Sequence, residues 1–123
     1  MTNSSSNVAV GKNAFGSATA ITSCVAVGNG AFANVSTIVR GVAIGEGALG
    51  GAESADHSVA VGYSSMYNTT GAKNTALGYQ SALNMGKTTG LGSISEPFQN
   101  TIIGYQSLYE GDINKNNVII GTS

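Results

Sequence analysis

The chain of 123 residues has no tryptophan, one proline, one cysteine and one histidine, and only 9% of its residues are charged. Each scarcity excludes something. A single cysteine, Cys24, cannot form an internal disulfide and leaves the redox compartment undetermined. A net charge of −1, with Lys12, Arg40, Lys73, Lys87 and Lys115 scattered along the chain, offers no basic field, so no nucleic-acid partner is expected. Apolar runs are only a few residues long, against the roughly 20 needed to cross a bilayer, so no membrane insertion is expected. Met1 to Asn7 has no apolar stretch of the signal-peptide kind. One histidine, one cysteine and six dispersed carboxylates make no ligand cluster. No metal or other cofactor is expected. No segment shows a helical apolar period with caps.

What the chain does have is glycine, 18 of them, and seven close short apolar strands: Gly11, Gly28, Gly45, Gly62, Gly78, Gly104 and Gly121. The first four are 17 residues apart, the next interval is 16, then 26, and the last is again 17. Periods of this length mark stacked coils. The residue before each glycine is a large aliphatic, Val10, Val27, Ile44, Val61, Leu77, Ile103 and Ile120. Two positions further back come Val8, Val25, Val42, Val59, Thr75, Thr101 and Val118, on the same strand face. Between them stand Ala9, Ala26, Ala43, Ala60, Ala76, Ile102 and Ile119, so the other face is apolar too. A strand that is apolar on both faces is covered on both, and the lumen of a narrow coil covers only one. The Val10-to-Ile120 column is therefore expected to pack either in the core or against other copies of the chain.

After the glycine come Ala14-Phe15, Ala31-Phe32, Ala48-Leu49, Met66-Tyr67, Ala82-Leu83 and Leu108-Tyr109, which read as a return strand. Polar, glycine-bearing connections such as Asn68-Thr69-Thr70-Gly71 then close each unit. The corner glycine suits a positive φ or a close backbone approach. Asn7, Ser58, Asn74, Asn100 and Asn117 precede the strands, where stacked side chains can bond from coil to coil. The fold expected is an all-β parallel β-solenoid of about seven turns. Residues 1–6 form a polar lead and residues 7–123 one repeat domain, with a degenerate turn and long loop at 84–99 around Gly90-Leu91-Gly92 and Pro97. Ordering a coil of this length costs more backbone entropy than its few buried side chains offset, which favours a homo-oligomer of closed symmetry.

Chemical motifs in the chain are decoys. Gly45-Glu46-Gly47-Ala48-Leu49-Gly50 fits the dinucleotide fingerprint after an apolar strand, but its sibling repeats carry Asn13, Ser64, Gln80 and Gln106 in place of Gly47 and no helix pattern follows. Asp56-His57-Ser58 has the residues of a triad, yet neighbours on an extended chain point apart. His57 shares its repeat position with Arg40, Lys73 and Gln99, a solvated edge. Cys24 holds the asparagine or serine position of its unit. A solenoid enzyme gathers charged residues at matching positions, and this chain has too few, so no enzymatic activity and no catalytic residues are expected. Tyr63, Tyr79 and Tyr105 are candidate surface contacts, since exposed aromatic rings stack on sugars or anchor partners. Tyr67 and Tyr109, beside Met66 and Leu108, read as core or intersubunit packing. Recognition is expected in the loops that vary most, at 17–22, 35–39, 52–56 and 85–98.

The unit Asn7-Val8-Ala9-Val10-Gly11-Lys12-Asn13-Ala14-Phe15 resembles the head repeats of trimeric autotransporter adhesins. The units Asn74-Thr75-Ala76-Leu77-Gly78-Tyr79-Gln80-Ser81-Ala82-Leu83 and Thr101-Ile102-Ile103-Gly104-Tyr105-Gln106-Ser107-Leu108-Tyr109 are similar to repeats of bacteriophage tail fibres. The resemblance covers nearly the whole chain. It implies a left-handed β-roll in a homotrimer, intertwined or side by side, that is displayed outside the cell or on the virion surface. The implied role is a structural segment of a tail fibre or surface adhesin, a rigid shaft or head that meets a host-surface glycan or receptor. The units are longer than the usual adhesin head repeat, and no coiled-coil stalk, membrane anchor or chaperone domain is recognisable. The alternative expectation is a subunit of a self-polymerising extracellular filament, growing by end-to-end stacking through its open sheet ends.

Overall fold

Each apolar triplet before a repeat glycine forms a three-residue strand, and the computed structural model, which describes residues 4–86, 97–111, 113 and 115–122, stacks these strands in parallel. They are β1 (Val8–Val10), β3 (Val25–Val27), β5 (Val42–Ile44), β6 (Val59–Val61), β7 (Thr75–Leu77), β8 (Thr101–Ile103) and β9 (Val118–Ile120), and they neighbour one another in that order. Two further strands, β2 (Ala20–Thr22) and β4 (Thr37–Val39), pair in a second parallel sheet. The described residues are all-β, without a helix.

Register follows the repeat: Val10 lies over Val27, Val27 over Ile44, Ile44 over Val61, and so to Ile120. Seven stacked strands bound six complete coils, one fewer than the turn count expected from the glycines. At a strand spacing of about 4.8 Å the stack is roughly 30 Å tall. β7 pairs directly with β8, so the 26-residue interval closes a single coil and adds no strand to the sheet. The Gly90-Leu91-Gly92 echo lies outside the described residues.

The inner wall is built from small strand residues facing large ones. Ala26, Ala43, Ala60 and Ala76 are fully buried, with Ile102 continuing their column. Phe15, Phe32, Leu49, Met66 and Ala82, four residues after their glycines, are buried with them. Phe15 and Phe32 stack with centroids 5.5 Å apart and planes at 11°. A third wall comes from Ile21, Ile38, Ala55 and Pro97, seven residues before a repeat glycine, which are also buried. Two of the segments expected as outer recognition loops, 17–22 and 35–39, thus carry β2 and β4, with Ile21 and Ile38 turned into the core.

The segment after the glycine is not a return strand. It is a run of turns in which every second residue has a positive φ, as at Asn13, Phe15, Asn34, Leu49, Ser64, Met66, Gln80 and Gln106. Left-handed backbone costs a non-glycine residue roughly 1–2 kcal/mol. Here it aims amides along the axis. Phe15 N–H donates to Ala31 O at 2.9 Å, Phe32 N–H to Ala48 O at 3.0 Å and Met66 N–H to Ser81 O at 2.9 Å, while Gly30, Gly47, Ser64 and Gln80 donate to the preceding coil. The inter-coil hydrogen-bond ladder therefore continues around the corner.

Candidate binding surface

The repeat glycines form one column along the stack. Gly28 has φ +132, and a Cβ on it would lie 2.5 Å from the carbonyl oxygen of Gly45 in the next coil. Both reasons anticipated for glycine, a positive φ and close backbone approach, therefore apply. Next to that column the strands turn their larger residues outward: Val10, Ile44, Leu77 and Ile120 are 56, 40, 46 and 71% exposed. The core placement of the Val10-to-Ile120 column is thus excluded within the chain, because the lumen beside Phe32 and Leu49 has room for alanine on the strand. Together with Val8, Val25, Val42, Val59 and Val118 they make an apolar stripe roughly 30 Å tall by roughly 10 Å wide.

One residue past the glycine, Tyr63, Tyr79 and Tyr105 stand in successive coils. Their rings stack with centroids 5.2 Å apart and interplanar angles of 11° and 9°. All three are exposed and extend the apolar stripe sideways. Tyr67 and Tyr109 are exposed as well, at 40 and 37%, so neither packs in the core. Beside Tyr63 and Tyr67 the surface drops into an open groove of about 360 Å3, lined by Asn29, Asn34, Glu46 and Ser64 over a floor of Gly30, Gly47 and Gly50. Its signature in the sequence is two consecutive units with glycine or alanine at the second and fifth positions after the repeat glycine, followed by a unit with tyrosine at the fifth.

The inward pre-strand column behaves as expected from its residue types. Cys24 N–H donates to Asn7 Oδ1 at 2.9 Å, Asn74 N–H to Ser58 Oγ at 3.1 Å, Asn100 N–H to Asn74 Oδ1 at 3.0 Å and Asn117 N–H to Asn100 Oδ1 at 2.9 Å. Cys24 takes the same role, its Sγ accepting from Gly41 N–H at 3.3 Å. Among the described residues no buried side-chain nitrogen or oxygen lacks a partner. This column is scaffold rather than site.

The decoys resolve in the same way. In Gly45-Glu46-Gly47-Ala48-Leu49-Gly50 the amides a phosphate needs are already donated: Gly45 to Val27 O, Gly47 to Asn29 O, Leu49 to Ser65 O and Gly50 to Gly47 O. In Asp56-His57-Ser58 each side chain has its own partner. Asp56 Oδ1 accepts from Val39 N–H at 2.8 Å, and buried Ser58 accepts from Asn74. His57 Nε2 lies 3.0 Å from Arg40 Nη1, and since arginine only donates, Nε2 is the acceptor. Arg40, His57 and Lys73 occupy one left-handed corner position, with φ 56, 58 and 60, and are exposed there. Among the described residues no three histidine, cysteine or acidic side chains are grouped to hold a metal ion, and no helix is long and apolar enough to cross a membrane.

No protein-family model, curated protein or solved structure matches the chain. Its outer surface is the ground on which function is read.

Proposed function

We propose that the chain is a non-enzymatic fibre segment of the tail-fibre or surface-adhesin type, a homotrimeric shaft or head that stands outside the cell or on a virion and presents a contact surface for a host glycan or receptor. One observation carries this reading: the outward column of valine, isoleucine and leucine from Val10 to Ile120, flanked by a second column of valines broken at Thr75 and Thr101, with the tyrosine stack at its margin. Exposed apolar patches of this extent mark interaction surfaces. Copies related by a closed rotation bury such a stripe on every chain at once, with none left over. The number three comes from the resemblance of the repeats to trimeric fibres. Stiffness follows from the parallel ladder, which bonds every coil to the next through both strand and corner. Low charge and the small share of residues suited to acid-base or metal chemistry fit a structural role.

Light scattering on the purified chain tests the reading. The expected mass is three times the 12.3 kDa of one chain, constant on dilution. Ile44→Asp with Leu77→Asp, both outward, is expected to give folded chains of lower assembly mass, because a buried unpaired carboxylate is costly. A stable wild-type monomer overturns the proposal. A mass that grows with concentration, with rods under negative stain, replaces it with the self-polymerising filament.

A further inference from the structure

We infer that the groove between Tyr63 and Tyr67 is a subsite for one neutral sugar unit of a glycan chain. This deepens the attachment part of the proposed function and rests on that reading; Tyr63 stands at the margin of the apolar stripe, and the groove lies on the side of it away from Tyr79.

The groove exists because the repeat changes size from coil to coil. Gly30 and Ala33, then Gly47 and Gly50, leave the floor without long side chains; in the next coil Ser64 and Tyr67 raise it again. A Cβ on Gly50 would come within 3.0 Å of Tyr67 Cε2, so the Tyr67 ring covers Gly50 and bounds the groove, while above Gly30 the nearest atom to a Cβ is Ala33 Cβ at 3.9 Å. The result is a step bounded by two exposed aromatic rings, an open groove of about 360 Å3. That accommodates a mono- or disaccharide unit.

Chemistry narrows the occupant. Aromatic ring faces carry the negative side of the quadrupole, which suits the weakly positive C–H face of a pyranose, and Tyr63, whose other face stacks on Tyr79, and Tyr67 are exposed rings lining the groove. Hydroxyl groups need donors and acceptors together. Asn29 Nδ2 donates to Glu46 Oε1 at 3.4 Å, holding the two across neighbouring coils, and the carboxylate keeps acceptor capacity. The side chains of Asn34 and Ser64 make no hydrogen bond within the described chain and face the same groove. Among the described residues no lysine, arginine or histidine lines it. Glu46 is the one charged side chain among the described residues that line it, so phosphate, sulfate or an acidic sugar meets its repulsion. An apolar ligand leaves Glu46, Asn29 and Asn34 to be desolvated unpaired. A neutral polyol ring satisfies both the aromatic and the polar walls.

The test is amide NMR on the full 15N-labelled chain titrated with maltose, lactose and N,N′-diacetylchitobiose, with glucuronate as the anionic comparison. At least one neutral disaccharide is expected to give saturable shifts at Asn29, Gly30, Gly47, Gly50 and Ser64 in the millimolar range, and glucuronate none. Tyr67→Ala removes a wall, and Gly30→Asn fills the floor with a residue that Asn13 already carries at the same repeat position with φ 56. Each is expected to weaken binding at least tenfold while the remaining amide spectrum keeps its dispersion. No saturable shift with any of the three disaccharides, or shifts indifferent to both substitutions, overturns the subsite; equal binding of glucuronate overturns its neutrality. A trimer that does not shift sinks the subsite alone, and a monomer that shifts sinks the trimer alone.

Discussion

At the scale of single residues the stack is governed by how closely one backbone lies on the next. The repeat glycines are required because a Cβ would enter the carbonyl of the coil beyond, and Gly28 and Gly121 separate that effect from conformational preference. Gly28 faces Gly45 at contact distance, whereas nothing lies within 4 Å of the place a Cβ would take on Gly121. Gly28→Ala is therefore expected to cost about 3 kcal/mol or more, combining left-handed strain with displacement of a neighbouring coil. Gly121→Ala carries only the strain, about 1 kcal/mol. Urea denaturation of the two variants checks this, and equal midpoints contradict it. The asparagine column is the side-chain counterpart of the glycine column: each side chain accepts the amide of the coil that follows, so burial of Asn74 and Asn100 leaves no orphaned group.

At the scale of an element the six coils share one outline but not one filling. The strand contributes alanine to the lumen while the corner contributes Phe32, Leu49 or Met66; where the corner residue shrinks to Ala82, the next strand supplies Ile102. The large buried residues thus shift from corner to strand along the stack. Ile102→Ala is accordingly expected to lose about 2–5 kcal/mol, since alanine at both 82 and 102 leaves a void that rigid coils cannot close. A thermal melt shows whether it does; a loss below about 1 kcal/mol contradicts the packing. The corner itself was not legible in the sequence. Phe15, Leu49 and Met66 have no local preference for left-handed backbone, and apolar pairs such as Ala48-Leu49 match a strand equally well. The conformation is imposed by amides that must reach the coil above or below.

At the scale of the whole molecule, variation in repeat length is confined to one edge. From the buried column at Ala18, Val35, Ala52, Thr69 and Met85 to the column at Ile21, Ile38, Ala55, Gly71 and Pro97, the sequence separation is three in the first three units, two in the fourth and twelve in the fifth. Everything else keeps its count. The stack therefore keeps the β7–β8 register across the longer interval. Deleting residues 87–95 restores a unit of 17, and the shortened chain is expected to keep its assembly mass and to gain about 1 kcal/mol, because closing a shorter stretch of chain between Met85 and Pro97 costs less entropy. Loss of cooperative unfolding in that variant contradicts this placement of the edge.

The sequence by itself determined the repeat, the strands, their parallel register, the glycine column and the polar ladder. In a solenoid each tertiary neighbour is the same position one period away, so periodicity along the chain already states the contact map. Tertiary structure alone decided which strand face is the core, because both faces are apolar and alternation cannot rank them. The narrow lumen opposite Phe32, Leu49 and Met66 admits alanine and turns valine, isoleucine and leucine outward. It also decided the groove at Tyr63 and Tyr67, which exists only where side chains from three successive coils, each separated from the next by a full period, meet on one surface.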